Sequence, residues 1–420
     1  MEILRGAAVV GQSGGPTAAI NATLAGVIDG YFQEKKKSGA VTALYGMRNG
    51  IEGFLKENLV NLGELFAAED GDIDEEKKQL LINTPAAGLG SCRNKLPKPA
   101  ENPEFFENLI GIFKKYDIRY FFYIGGNDSM DTVAKLSYYA QMQGYDIMVI
   151  GVPKTIDNDV CGTDHTPGYG SAAKYIAATM QEIIRDCAVY TVPAVTVVEV
   201  MGRDAGWLTA AAALPRLAGG DAPDLVYLPE RAFSLEFFLE DVKAELAKKP
   251  NVVVAVSEGI RFADGRYVCE EISAGGTDVF GHKALTGTGK ALEMFVKEKI
   301  GCKVRSVELN ISQRCGSHIS SLTDIRESEG VGASGVVAAL EGRSVVMMGI
   351  IRDEGETYSS HFEPLDVTKI ANQVKHVPQE FINERGCNVT DECARYILPL
   401  IEGEIYPEYV NGLPVHFIFD

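Results

Sequence analysis

The nine residues VPKTIDNDV, Val152 to Val160, set Lys154, Thr155, Asp157, Asn158 and Asp159 in one short loop. A cation, a hydroxyl and two carboxylates so close together exceed what a connecting turn requires. The combination raises the question of what the loop handles and why it needs the lysine. The run IMVIG just before the loop reads as a buried strand.

Other loops suit anions. In GQSGGPTAAIN, Gly14 and Gly15 let the backbone approach a ligand closely, ahead of a helix N-terminus that favours negative charge. The glycine spacing matches neither a Walker loop nor GxGxxG. In YIGGNDSMD, Gly125 and Gly126 open a turn, and Asn127, Asp128 or Ser129 could cap the next helix. Two glycines and two consecutive Asx residues exceed a cap's needs, and the pair Asn127–Asp128 suits Mg²⁺ held through oxygens and waters. In EVMGRDAGWLTAA, Arg203 stands at a helix start, where a cation is electrostatically misplaced unless an anion joins it. GSCRNKLPK adds Arg93, Lys95 and Lys98, which equally suit a solvated basic turn. KVRSVELNISQRCGS adds Arg305 and Arg314, and Glu258 follows the buried run NVVVAVS. A carboxylate beside a core needs a partner.

The elements that must position these loops are strands alternating with helices. GAAVVG, IRYFFYIGG, YDIMVIG, PAVTVVEV, APDLVYLPE, NVVVAVSEG, KVRSVEL and GRSVVMMGII read as strands. Helical periodicity follows most of them, as in Leu235, Phe238, Val242 and Leu246 after Ser234. Continuous apolar strands between helices predict parallel sheets covered on both faces, with ligands at the strands' carboxyl ends. The stretches near Ala67–Lys78 and Glu384–Glu392 read as surface excursions, and the aromatic final segment EIYPEYVNGLPVHFIFD as docked.

The chain has 420 residues, 46% of them hydrophobic and 23% charged, as in an ordinary globular protein of two or three domains. A net charge of −18 argues against nucleic acid or an anionic membrane as partner, yet leaves room for a local cluster of cations. Eight scattered cysteines without a CxxC pair read as reduced thiols. Without a signal-like N-terminus or a membrane-length apolar run, a cytoplasmic location is expected.

Taken together, GQSGGPTAAIN, GGNDS, PKTIDND, VVEVMGR and SEG resemble, in order and spacing, the phosphofructokinase family. The resemblance implies two Rossmann-like α/β/α domains with the site between them. A donor domain would span about residues 1–165 and 315–385, and a fructose 6-phosphate domain about 166–314 and 386–420. It implies Asp157 as the base for the sugar's 1-hydroxyl, and Thr155 and Asp159 as its neighbours. Met201, Gly202, Arg203 and Glu258 would be sugar-phosphate ligands, with Arg305 and Arg314 gripping the 6-phosphate. Gly15 and Arg93 would contact the transferred phosphoryl group. A homodimer or homotetramer is implied as well.

The donor turns on two positions. ATP-using relatives carry GGDGS and PGTIDND; this chain has Asp128 and Lys154 where those patterns have glycine. In the diphosphate-dependent branch an acidic residue and a lysine are the usual pair. Asp128 would repel a nucleotide's α-phosphate, which diphosphate lacks, and Lys154 would stabilise the transferring group. Three positions depart from the family pattern: Asn127 replaces the metal-binding aspartate, Ala194 an arginine reaching a neighbouring subunit, and Ile311 a histidine. The competing readings are an ATP-dependent enzyme of the same fold and a non-catalytic sugar-phosphate sensor, which would have no need of Asp157.

Overall fold

The computed structural model describes residues 3–220, 223–271, 287–371 and 373–419. Eleven strands, β1 to β11, build two sheets. The larger contains β1 (Gly6–Gln12), β2 (Val41–Met47), β3 (Leu59–Asn61), β4 (Ile118–Gly125), β5 (Met148–Pro153), β10 (Val346–Arg352) and β11 (Ser360–Asp366). Their order is β11-β10-β5-β4-β1-β2-β3. The smaller contains β6 (Ala194–Val200), β7 (Leu225–Tyr227), β8 (Asn251–Ser257) and β9 (Lys303–Glu308), in the order β7-β8-β6-β9.

The small sheet is parallel throughout, as its apolar runs predict. The large one is parallel only in its centre, because β3 and β11 pair antiparallel at the two edges. Those edge strands are partly exposed, so they lack the continuous apolar run that marks a buried strand. Helices cover both faces of the large sheet with two apolar clusters. One includes Ile20, Leu24 and Val331, the other Phe106, Met130 and Leu136.

The Ile20–Lys37 helix packs against the Leu322–Leu340 helix through glycine: a Cβ on Gly26 would lie 1.9 Å from the Glu329 carbonyl. The Ala67–Lys78 excursion contains the start of a helix, Glu75–Asn83, capped by the Asp74 side chain. The Glu384–Glu392 stretch runs into another, Asp391–Ile397, capped by Thr390. In the final segment Phe417 and Phe419 pack on Phe66, whereas Tyr406, Tyr409 and Leu413 are exposed.

Five of the loops singled out for chemistry leave the carboxyl end of a strand, whereas the basic loop with Arg93 and Lys95 follows the Glu75–Asn83 helix. The glycine loop follows β1, GGNDS follows β4, TIDND follows β5, MGR follows β6 and Glu258 follows β8. The last two belong to the small sheet and the first three to the large one, so the site draws on both.

Candidate active site

A cavity of about 590 Å³ is lined by Gly14, Gly15, Arg93, Asn127, Asp128, Lys154, Thr155 and Asp159, together with Lys95. Lys154 forms its floor. The side chain is 3% exposed, and its Nζ donates to the Gly15 carbonyl. Gly14 has φ of 76°, and a Cβ there would meet the Lys154 ammonium at 3.3 Å, so any side chain would be both strained and in the way. A Cβ on Gly15 would lie 3.6 Å from Arg93 and 3.8 Å from Arg314, so two guanidinium groups converge beside the same glycine. Burial lowers Lys154 to about 8 against the pull of Asp157, with Arg93 lowering it further. It is therefore protonated at neutral pH, and three cations surround a glycine turn: an anion site.

The exposed side of this cavity carries an aspartate and a lysine. Asp128 is exposed and pairs with Lys95 at 2.9 Å. Asn127 opens the Asn127–Met142 helix, whose N-terminus receives no side-chain cap, so neither Asx residue is spent on capping. The buried Asn127 Oδ1 finds no hydrogen-bond partner among the described residues. An orphaned amide oxygen beside a carboxylate fits a hard cation. No cluster of three or more His, Cys, Asp or Glu suited to a metal occurs among the described residues. A divalent ion would thus rest on Asn127, Asp128, water and phosphate oxygens, an arrangement typical of Mg²⁺.

Deeper in the cleft stand the carboxylates. The Asp157 N–H donates to Thr155 Oγ1 at 3.1 Å, and that hydroxyl lies 3.4 Å from Asp157 Oδ2. Burial raises Asp157 above the usual carboxylate range, although Lys154 opposes the shift. Burial and the charge of Asp157 push Asp159 up to about 7, and the same two causes push Glu258 to about 7. Such a group of half-buried carboxylates is suited to accept and hold a proton near neutrality.

Across the cleft the MGR loop is held by its backbone. Gly202 has φ of 122°, and a Cβ there would lie 2.7 Å from the Ala205 carbonyl. Its N–H donates to Glu258 Oε1 at 3.3 Å, and its carbonyl accepts from Ser257 Oγ. The Met201 N–H donates to Gln313 Oε1 at 3.3 Å. Arg203 Nε is buried without a partner among the described residues. Gln313 and Ser257 escaped the sequence reading. Their only local signal is adjacency, to Arg314 and to Glu258, and a neutral polar residue carries no charge pattern to betray it.

Arg305 does not join this cluster within the chain. It lies in mid-strand on β9, opposite Thr196, and its guanidinium sits 3.5 Å from Asp186 on the Tyr169–Ala188 helix. Residues reach the cleft from the ends of strands, and Arg305 is too early in β9 to do so; Arg314, beyond the strand, does. Ala194 begins β6 beside Lys303, and Ile311 is exposed. A separate cavity of about 430 Å³, lined by Arg185, Tyr190 and Lys249 among others, contains none of these loop residues.

A seven-stranded and a four-stranded α/β unit sharing one cleft at their strand ends define a phosphofructokinase fold, and the chain belongs to the phosphofructokinase family. The family model, described as phosphofructokinase, matches residues 7–325. The pyrophosphate–fructose 6-phosphate 1-phosphotransferase of Methylococcus capsulatus is 41% identical over 406 residues, 96% of this chain and 93% of that one. The protein of the same name from Halomonas elongata is 40% identical over 407 residues, with 96% and 93% covered. The crystal structure of the pyrophosphate-dependent phosphofructokinase from Nitrosospira multiformis superposes with a TM-score of 0.87 at 37% identity, covering 98% of this chain and 96% of that one.

Proposed function

We propose that this chain transfers a phosphoryl group reversibly between diphosphate and the 1-hydroxyl of fructose 6-phosphate, giving fructose 1,6-bisphosphate and phosphate. The observation that carries it is the donor cavity: a buried lysine ammonium beneath the glycine turn and an aspartate at the mouth. That aspartate disfavours a nucleotide's further phosphate, while the floor holds the two phosphates of the smaller donor. The relatives named above share this activity in their names, which supports the reading.

In this reading Asp157 takes the proton as the sugar oxygen attacks the terminal phosphorus. Thr155 orients Asp157, and Asp159 shares the local charge. Lys154, Arg93 and Arg314 stabilise the charge that develops as the bond to the leaving phosphate breaks. Met201, Gly202, Arg203 and Glu258 hold the sugar phosphate. Mg²⁺ on Asn127 and Asp128 would neutralise diphosphate oxygens.

The division into a donor domain, about 1–165 and 315–385, and a sugar domain, about 166–314 and 386–420, belongs to the same proposal. It is supported by the two sheets having separate strands. So does a homodimer or homotetramer, in which Arg305 and the exposed Ile311 are free to meet a second subunit. We also propose a cytoplasmic location; no helix among the described residues is long and apolar enough to cross a membrane.

The test is donor specificity. Purified protein assayed in both directions, with and without Mg²⁺, should turn over with diphosphate and not with ATP. Turnover with ATP alone would overturn the reading.

A further inference from the structure

Behind the TIDND loop lies a buried polar network that the proposed chemistry leaves unused. Its centre is Lys375, in a segment far along the chain. The Lys375 ammonium donates to the carbonyls of Thr163, at 3.3 Å, and Asp164, and to Asn158 Oδ1 at 3.3 Å. Its N–H donates to the Asp159 carbonyl at 2.8 Å, beside an antiparallel bridge between Val160 and Val374. The base loop is therefore gripped from behind by both the backbone and the side chain of one residue.

The same segment grips the sugar side. The Lys375 carbonyl accepts from Trp207 Nε1 at 2.9 Å, and the ammonium lies 5.0 Å from the centre of that indole. Glu230 Oε1 accepts both the Val377 N–H, at 2.9 Å, and the Gly206 N–H, at 2.8 Å. Gly206 and Trp207 follow directly on the MGR turn. A four-residue strap, 374–377, thus ties the loop carrying the base to the loop facing the sugar phosphate, although the loops leave different sheets.

Asn158 explains why the strap needs a lysine. It is fully buried with φ of 53°, a left-handed conformation that must be held by its surroundings. The ammonium, with three donors, holds the Asn158 side chain and two carbonyls of the following turn at once. Asp157 and Asp159 flank this residue on either side, so a shift here moves both. Resting on the transferase reading above, we infer that Lys375 is a positioning residue that fixes Asp157 and Asp159 relative to the sugar-phosphate loop. Burial lowers its ammonium to about 8 against the pull of Asp164, so it carries its charge at neutral pH.

The test compares Lys375→Met, Asn158→Gly and the double variant with the wild-type enzyme, each on the donor the wild type uses best. Glycine keeps the left-handed backbone while removing the acceptor. Misplacement of a reacting group by about 1 Å costs about 10²-fold, so kcat of Lys375→Met should fall about 10–10²-fold. Methylenediphosphonate, titrated calorimetrically, should still bind at wild-type stoichiometry, and its affinity should change by less than about threefold. The double variant should be no slower than the slower single one. A kcat within about threefold of wild type, with only the melting midpoint lowered, would make Lys375 a stability residue and overturn the inference. Multiplying effects would overturn it too, since the lysine would then not act through Asn158. If Lys375→Met does not fold, Asn158→Gly alone decides: a fall in kcat of about tenfold supports the inference, and an unchanged kcat sinks it. A wrong donor assignment would appear in the wild type and leave these ratios readable.

Discussion

The two walls of the cleft are built on different principles. On the donor wall the groups proposed to select the donor are side chains: the exposed Asp128, ion-paired with Lys95, and the buried Lys154. On the sugar wall the discriminating geometry belongs to the backbone: Gly202 at φ of 122°, wedged against Ala205 and tied to Glu258, Ser257 and Gln313. An exposed pair contributes about 0–1 kcal/mol to stability, so the donor wall can change its chemistry at little structural cost. The Gly202 turn cannot, because any side chain there would be strained at positive φ and would press on the Ala205 carbonyl. In the proposed reading, donor identity rests on side-chain charges and acceptor geometry on the backbone.

The largest expected effect tests the carboxylate that stands deeper in the cleft. Asp157→Asn should lower kcat about 10²–10⁴-fold with binding retained, measured by steady-state kinetics in both directions. Next comes the donor wall's buried member: Lys154→Met should lower kcat with diphosphate about 10²–10³-fold and leave the KM for fructose 6-phosphate nearly unchanged. An equal loss of sugar affinity would break the separation of the walls.

The pH profile sharpens the same point. Asp157 must be ionised to take a proton, and its affinity is raised by burial, so kcat/KM should fall as pH drops through a value above the usual carboxylate range. Lys154 must be charged, so activity should fall again as pH rises through about 8. Between about 8 and the ordinary lysine value of 10.5, the unfolded chain holds more protons than the folded one. The lysine's contribution to stability therefore rises with pH while activity declines, and melting curves beside rate profiles would separate the two.

A smaller effect is expected on the sugar wall. Gly202→Ala should raise the KM for fructose 6-phosphate about tenfold and lower the melting midpoint, with the KM for diphosphate little changed. The smallest lies at the mouth: Asp128→Gly should alter stability by less than about 1 kcal/mol, yet admit ATP binding with poor turnover while Lys154 remains. Continued exclusion of ATP would show that the carboxylate is not the barrier.

Much of this site was legible residue by residue. The runs before Gly11, Gly126, Lys154, Met201 and Glu258 are rich in apolar and β-branched residues, so the strands and the ends from which loops emerge could be read directly. Asp128 and Lys154 stand out because the ATP-using members of the family carry glycine at both positions. The place of Arg305 in mid-strand, away from the cleft of its own chain, went unread, because a sequence shows a cation's presence but not its height along a strand. The antiparallel strands β3 and β11 went unread because half-exposed edges lack a buried strand's signature.

The sequence by itself determined the alternation of strands and helices and the chemistry of each loop, since each depends on neighbours within a few residues. Only the tertiary structure decided that Arg93 and Arg314 converge at Gly15, that Asn127 keeps an orphaned oxygen, and that Lys375 reaches back to Asn158 and Asp159. Contacts across hundreds of residues leave no periodicity in the chain. They arise from the packing of two sheets, which local propensity cannot specify.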